Sequence, residues 1–153
     1  MTDAPQSDAA PPDLPQMIFV NLPSSDIPRA RMFYAGLGFR FDERFCDDGS
    51  LMVGVSDTIH LMILERTKFA SFSPRPVAPE GTVGALVCLS QPSAAAVDAL
   101  VARATAHGGS DNDRTQEMGD FMYGRSVCDP DGNVLEIMWM DVARAMAAWG
   151  KAA

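Results

Sequence analysis

Two six-residue segments of the chain repeat each other. IHLMIL at residues 59–64 and LEIMWM at residues 135–140 align without a gap at an offset of 76 residues, and each follows a polar turn that contains Asp. A second pair, FVNL at residues 19–22 and LVCL at residues 86–89, aligns at an offset of 67 residues. A chain of 153 residues is the size of one ordinary domain. The repeat therefore predicts two copies of one supersecondary unit that share a core.

The first predicted unit covers residues 17–64 and runs strand, helix and three strands. Its opening run, MIFVNL, is β-branched and aromatic, as in a strand. Ser24, Ser25 and Asp26 are candidate helix N-caps and Pro28 suits the first turn of a helix. Apolar residues then recur at helical spacing until Gly36. Alternating or apolar runs predict the remaining strands at residues 39–45, 51–55 and 59–64.

The second predicted unit covers residues 82–141 and repeats this order. A strand at residues 82–89 precedes a helix that Ser93 caps and Gly108-Gly109 closes. The polar residues 110–118 predict a weak edge strand. Two further strands are predicted at residues 121–128 and 134–140.

Three stretches lie outside the two units. Residues 1–16 are rich in Pro, Ala and Asp without periodicity, which predicts a disordered tail. Residues 65–81 contain three prolines in six residues and are predicted to be a linker that could also serve as a lid. Residues 142–153 are predicted to be a C-terminal helix or tail.

Strand alternation gives each unit two different faces. His60 and Met62 share one face of their strand, and Glu136 and Met138 share the equivalent face in the second unit. Aliphatic and aromatic residues occupy the opposite faces and are expected to pack on the helices: Ile59, Leu61, Ile63, Leu135, Ile137 and Trp139. Each sheet should therefore carry one ionisable residue among methionines on its second face.

Composition narrows the classes of partner and location. The formal net charge is −8 and the sequence has no basic patch, which argues against nucleic acid as a partner. No run approaches 18 apolar residues and no secretory signal is visible, so we expect no membrane partner and a cytoplasmic location. The three cysteines have no metal-like spacing and are expected to be free thiols.

The segments NLPSSDIPRARMFYAGLGF (residues 21–39) and FMYGRSVCDPDGNVLEIMWMD (residues 121–141), with the tandem repeat, resemble the vicinal oxygen chelate superfamily. This superfamily contains glyoxalase I, bleomycin-resistance proteins and extradiol dioxygenases, and the resemblance covers roughly residues 17–141. It implies an α+β fold in which tandem βαβββ repeats form a curved mixed sheet around a cleft. It also implies a homodimer, because the family often completes its cleft across subunits.

The resemblance also implies a position for a divalent metal. The family's four ligand positions fall on Phe19, His60, roughly Leu86, and Glu136, of which only His60 and Glu136 can bind a metal. Asn21 could add a weak amide ligand, whereas Ala85, Leu86 and Val87 are all apolar, so a register shift of one residue there creates no ligand. One imidazole and one carboxylate suit Zn, Ni, Fe or Mn. Without a metal, His60 and Glu136 could bind each other or a ligand, or they could fail to meet.

Two functions remain open from the sequence. The first is a glyoxalase- or dioxygenase-like enzyme acting on a small molecule, with a degenerate metal site and Glu136 as the proton-transferring group. The second is a non-catalytic protein that sequesters a small molecule, as bleomycin-resistance proteins do, using adaptable methionine walls. The candidate substrate-binding residues are Asn21, Met62, Tyr123, Arg125 and Met138. For Arg125 the alternatives are a structural ion pair or a solvent-facing edge, and for Tyr123 a packed aromatic residue. His107 is expected to lie at a helix end.

Overall fold

A computed structural model describes residues 15–150 of the chain and shows the βαβββ order twice. The first unit contains β1 (Ile18–Ser24), α1 (Ile27–Gly36), β2 (Arg40–Phe41), β3 (Ser50–Gly54) and β4 (Ile59–Glu65). Helix α2 (Arg66–Phe72) follows it. The second unit contains β5 (Leu86–Ser90), α3 (Ala94–Ala106), β6 (Ser110–Met118), β7 (Met122–Cys128) and β8 (Val134–Met140), and α4 (Val142–Trp149) comes last.

Each unit forms its own four-stranded mixed sheet. The first sheet has the strand order β1-β4-β3-β2 and the second has the order β5-β8-β7-β6. In both, the first and last strands of the unit are parallel neighbours and the other pairs are antiparallel. The predicted α+β fold with tandem βαβββ repeats is confirmed. The predicted tail lies almost wholly outside the described residues.

The two units share one hydrophobic core on the helix-covered faces of their sheets. Leu61 and Ile63 of the first sheet, and Leu135 and Ile137 of the second, are fully buried in the same cluster as residues of α1 and α3. Strand alternation predicts these faces because side chains point to opposite sides of a strand in turn. Ile59, also predicted to pack on the helices, is 38% exposed at the start of β4.

The turn between β7 and β8, residues 129–133, joins the second unit to the first. The Asp129 carboxylate accepts a hydrogen bond of 2.9 Å from the Tyr34 hydroxyl on α1. The Asp131 carboxylate accepts one of 2.6 Å from Ser24 at the end of β1. The Asn133 amide donates to the Pro23 carbonyl oxygen at 3.0 Å. We call residues 129–133 the joining turn.

Two segments differ from the sequence prediction in ways that shape the site. Within residues 39–45, predicted as one strand, only Arg40–Phe41 pairs with β3, and a 3-10 turn follows at Glu43–Phe45 because the Asp42 carboxylate accepts from the Arg44 backbone. The first part of the predicted linker is helix α2, because the Glu65 carboxylate accepts from the backbone amides of Thr67 and Lys68. None of the helices within residues 15–150 is long and apolar enough to span a membrane.

Candidate functional site

The face of the first sheet opposite α1 and the core carries a groove, one end of which is bordered by α2. Cross-strand register places Phe19 beside His60, and both Asn21 and Met52 beside Met62, so these side chains share one face. Two cavities of about 630 and 530 Å³ lie on this face. Both are lined by Arg44, Phe45 and Met62, so they adjoin each other, and we call the pair the first-sheet groove. The predicted ligand-binding residues Asn21 and Met62 both line it.

His60 lies at one end of the groove and is 9% exposed. The Phe19 ring stacks on the imidazole, with ring centroids 5.3 Å apart and planes inclined by 18°. The Nδ1 atom is buried and has no hydrogen-bond partner within residues 15–150. Leaving a buried polar atom unpaired costs about 1–3 kcal/mol.

Charged side chains surround this end of the groove. The Asp42 carboxylate accepts hydrogen bonds from the Arg44 guanidinium at 2.9 and 2.7 Å. These bonds lower the pKa of Asp42, and the nearby His60 adds a smaller effect in the same direction. Asp57 lines the same cavity, so the His60 end is lined by two carboxylates and one guanidinium.

Glu136 lies on the helix-free face of the second sheet. Its neighbours in register are Cys88 on β5 and Ser126 on β7, and the Gln116 amide donates to its Oε1 at 3.3 Å. Partial burial raises the pKa of the Cys88 thiol, and the charge of Glu136 raises it further. Met138 follows Glu136 on this face, as alternation predicts.

Within one chain, the structure does not bring His60 and Glu136 together. They belong to different sheets, each on the face opposite the core that joins the two units. Neither a hydrogen bond nor an ion pair links them in the described part of the chain, and Glu136 does not line the cavity that contains His60. The sequence left open whether His60 and Glu136 meet, and within a single subunit they do not.

Cys88 is not one of the ligand residues predicted from the sequence, but it occupies the position in the second sheet that corresponds to Phe19 in the first. In the first sheet Phe19 pairs with His60, and in the second sheet Cys88 pairs with Glu136. Cys88 is therefore the counterpart of Phe19, two residues beyond the predicted Leu86. Ala85, Leu86 and Val87 are apolar, and the donor lies one residue beyond them. The likeness of the first strands suggests a register that the pairing of β5 with β8 does not follow.

These donors do not fit a divalent metal within one chain. His60, Cys88 and Glu136 are divided between two sheets, and Phe19 covers a face of the imidazole. Among residues 15–150, no three His, Cys, Asp or Glu side chains come close enough to hold a metal ion. Structural and catalytic metal sites commonly need three or four protein ligands.

Tyr123 and Arg125 lie on the other face of the second sheet. Arg125 pairs in register with the buried Ile137, which places both side chains on the helix-covered side. The Tyr123 hydroxyl donates to Asp98 of α3 at 2.7 Å, and Arg125 donates to the same carboxylate at 2.9 Å and to Asp111. Arg125 therefore forms a structural ion pair, one of the alternatives left open by the sequence. Neither Tyr123 nor Arg125 lines the first-sheet groove. His107 caps the end of α3, as expected.

Lys68 and Arg44 line the groove but are not predicted from the sequence as site residues. Lys68 is on α2, inside the predicted linker, and its ammonium donates to Asp47 at 2.9 Å and to Ser50 at 3.1 Å. These contacts depress the pKa of Asp47 to about 2, with the Lys68 hydrogen bond as the largest cause. The sequence does contain a signal for helix α2, because the run from Glu65 to Phe72 has no proline or glycine and precedes the first proline of the linker.

Comparison with protein-family models gives one match, to the Glyoxalase/Bleomycin resistance protein/Dioxygenase superfamily over residues 16–137. No curated protein sequence matches the chain.

Many solved structures are similar in fold. A glyoxalase/bleomycin resistance protein/dioxygenase family enzyme from Burkholderia phytofirmans PsJN is 21% identical, with a TM-score of 0.67 over 82% of this chain and 99% of its own. A glyoxalase-related enzyme from Fulvimarina pelagi is 19% identical, with a TM-score of 0.70 over 82% of this chain and 88% of its own. A lactoylglutathione lyase from Agrobacterium tumefaciens is 19% identical, with a TM-score of 0.60 over 93% of this chain and 100% of its own. At these identities the likeness establishes the fold alone.

Proposed function

Because the chain belongs to the Glyoxalase/Bleomycin resistance protein/Dioxygenase superfamily, we propose that it binds a small organic molecule in the first-sheet groove and acts as a homodimer. The observation that carries this proposal is the groove itself. Its two cavities fall in the range of about 300–1,000 Å³ typical of ligand sites. Its lining combines apolar and aromatic side chains with polar and charged groups that can fix a ligand's orientation.

Exposed apolar residues on both sheets support the proposed homodimer. Phe19 on the first sheet and Leu86 on the second are 49% and 57% exposed, although both are large apolar residues. Packing the second sheet of one copy over the first-sheet groove of another would bury such residues. It would also bring Glu136 and Cys88 of one copy opposite His60 of the other. Both grooves of a two-fold dimer would be closed in the same way.

A catalytic function is the second candidate, and Glu136 favours it. Its carboxylate is held by a 3.3 Å hydrogen bond from Gln116, which leaves lone pairs for a substrate. Opposite a ligand bound at His60 of another copy, Glu136 could take a proton from a carbon or oxygen acid of that ligand.

A matched pair of methionine variants tests binding in the groove. Met62→Ala removes part of the groove wall, whereas Met32→Ala removes a methionine that is 69% exposed and does not line the groove. We expect saturable binding of the neutral aromatic probe 2-naphthamide, followed by its fluorescence, to weaken in Met62→Ala and to stay unchanged in Met32→Ala. Equal affinity of both variants and wild type would contradict binding in the groove.

Light scattering after size-exclusion chromatography tests the dimer. We expect the mass of two chains for the wild type and of one chain for Leu86→Asp, because an ionised carboxylate at an apolar interface is strongly disfavoured. Val142→Asp, an equally drastic change at an exposed apolar position on α4, is the control and should remain a dimer. A monomeric wild type would refute the dimer and leave binding in the groove to be judged by the methionine variants.

A further inference from the structure

We propose that the α2 end of the first-sheet groove is a carboxylate subsite built by Lys68 and Asn21, so that the ligand is an aromatic or apolar carboxylate. This inference rests on the proposed binding of a small molecule in the groove and adds the chemical class and orientation of that molecule. It comes from three properties of the groove: the distribution of charge along it, the unused donors of Lys68, and the apolar surface at the opposite end.

The charges that line the groove differ between its two ends. At the α2 end the cavity is lined by Arg44 and Lys68 against one carboxylate, Asp47. At the His60 end it is lined by Asp42 and Asp57 against Arg44. Arg44 lines both ends and is paired with Asp42, so it adds no free positive charge to either end. Lys68 and Asp47 then balance each other at the α2 end, whereas Asp57 adds a further carboxylate at the His60 end. In a chain whose net charge is −8, an anionic group is therefore repelled less at the α2 end than at the His60 end.

Lys68 is the side chain that can hold such a group. Its ammonium carries three N–H donors, and the described partners, Asp47 and Ser50, use two of them. The side chain is 37% exposed, so the third donor is accessible from the groove. Lys68 is also held in place from both sides, because α2 begins at the Glu65 cap and the ammonium reaches across to the residues before β3.

Asn21 lines the same cavity and adds a second donor. Its amide carries two N–H groups and lies on the face of the first sheet that forms the groove floor. One free ammonium N–H and one amide match the two oxygens of a planar carboxylate. A phosphate, with three terminal oxygens and a larger charge, would call for more donors and for guanidinium groups that are not already paired.

The rest of the ligand is defined by the other end of the groove. Phe19 stacks on His60 with its outer surface open to the cavity, and Phe45, Met52 and Met62 form the remaining apolar wall. Aromatic rings and methionine side chains favour flat, polarisable molecules. The ligand would therefore place its ring near Phe19 and Phe45 and its carboxylate near Lys68.

Two probes of the same shape test this orientation: 2-naphthoate, which carries a carboxylate, and 2-naphthamide, its neutral counterpart. Each is titrated into the purified full-length protein and followed by probe fluorescence. For the wild type we expect naphthoate to bind about tenfold more tightly, the size expected for one charge-assisted hydrogen bond. This preference should shrink in 1 M salt, because screening shortens the range of the attraction to about 3 Å.

Lys68→Gln should abolish the preference for naphthoate over naphthamide, since Gln keeps hydrogen-bonding capacity without charge. Lys68→Arg should restore part of the preference. Arg144→Gln removes a cation that pairs with Asp120 and does not line the groove, so it should leave both affinities unchanged. Circular dichroism of each variant shows whether it is folded.

The outcomes separate the two proposals. If naphthamide binds but naphthoate binds no better, or if Lys68→Gln keeps the preference, the carboxylate subsite is refuted and binding in the groove stands. If neither probe binds to the wild type, both proposals are refuted together.

Discussion

The Ser24 hydroxyl donates a hydrogen bond of 2.6 Å to the Asp131 carboxylate, which lies 107 residues later in the chain. The same carboxylate accepts from the backbone and hydroxyl of Ser25 and from Arg29, and its side chain is only 5% exposed. One nearly buried acid in the joining turn therefore binds the start of α1 by several bonds at once.

Replacing Asp131 with Asn should destabilise the fold, because an amide presents N–H groups to donors that now face a carboxylate. We expect the free energy of unfolding to fall by about 1–3 kcal/mol, as for other lost bonds to a buried charge. Urea denaturation measures it. Asp120→Asn breaks an exposed ion pair with Arg144 and should cost less than about 1 kcal/mol. Equal losses in the two variants would refute the special role of Asp131.

Asp47 provides a prediction for acid pH. Its pKa is depressed to about 2, so the folded protein holds this carboxylate ionised more strongly than the unfolded chain does. The corresponding stability is present above the ordinary pKa of about 3.9 and is lost as the pH falls towards 2. Lys68→Gln removes the largest cause and should raise the pKa of Asp47 in an NMR titration of its carboxyl carbon. An unchanged pKa would show that Ser50 and Gly49 suffice.

The stacking of Phe19 on His60 predicts how the two histidines react with diethyl pyrocarbonate. His107 is exposed and serves as an internal standard, whereas His60 is nearly buried. We expect His107 to be modified first, and Phe19→Ala to accelerate modification of His60 several-fold without affecting His107. Peptide mass spectrometry gives both rates. Phe121→Ala, an aromatic residue that packs on Trp149 instead, is the control. Fast modification of His60 in the wild type would contradict the stacked arrangement.

The pairing of Cys88 with Glu136 predicts thiol reactivity. Burial and the negative charge of Glu136 both raise the pKa of Cys88, and the thiolate is the reactive form. Glu136→Gln removes the second cause, so Cys88 should react faster with iodoacetamide at pH 8. Cys46 and Cys128 in the same molecule should be unaffected, and Glu117→Gln controls for a neighbouring acid. If the rate for Cys88 does not change, Glu136 does not influence the Cys88 thiol and the prediction is refuted.

Local periodicity predicts the strands, the helices and the two faces of each strand. It does not predict which residues of different strands lie side by side, because that depends on long-range register. Alternation along residues 59–64 and 135–140 assigns His60 and Glu136 to the faces opposite Leu61 and Leu135 without knowledge of the partner strands. The position of Cys88 depends on how β5 pairs with β8, which no local pattern encodes.

The face of β7 on which Arg125 lies can be read from the pairing of β7 with β8. Pairing across the joining turn sets Ser126 opposite Glu136, and counting back from that turn would have put Arg125 on the helix-covered side. Helix α2 is not predicted from the sequence because residues 65–81 contain three prolines, which favour a linker. All three prolines follow the helix.

The division of each strand into a core side and a groove side has a consequence for mutational tolerance. Groove residues such as Phe19, Asn21 and Met62 lie on the opposite face of the sheet from the cluster that joins the two units. Substitutions there can reshape the ligand site while the residues that specify the fold remain in place. A library that randomises these positions should therefore retain a high fraction of folded members, and selection could change the preferred ligand in few steps.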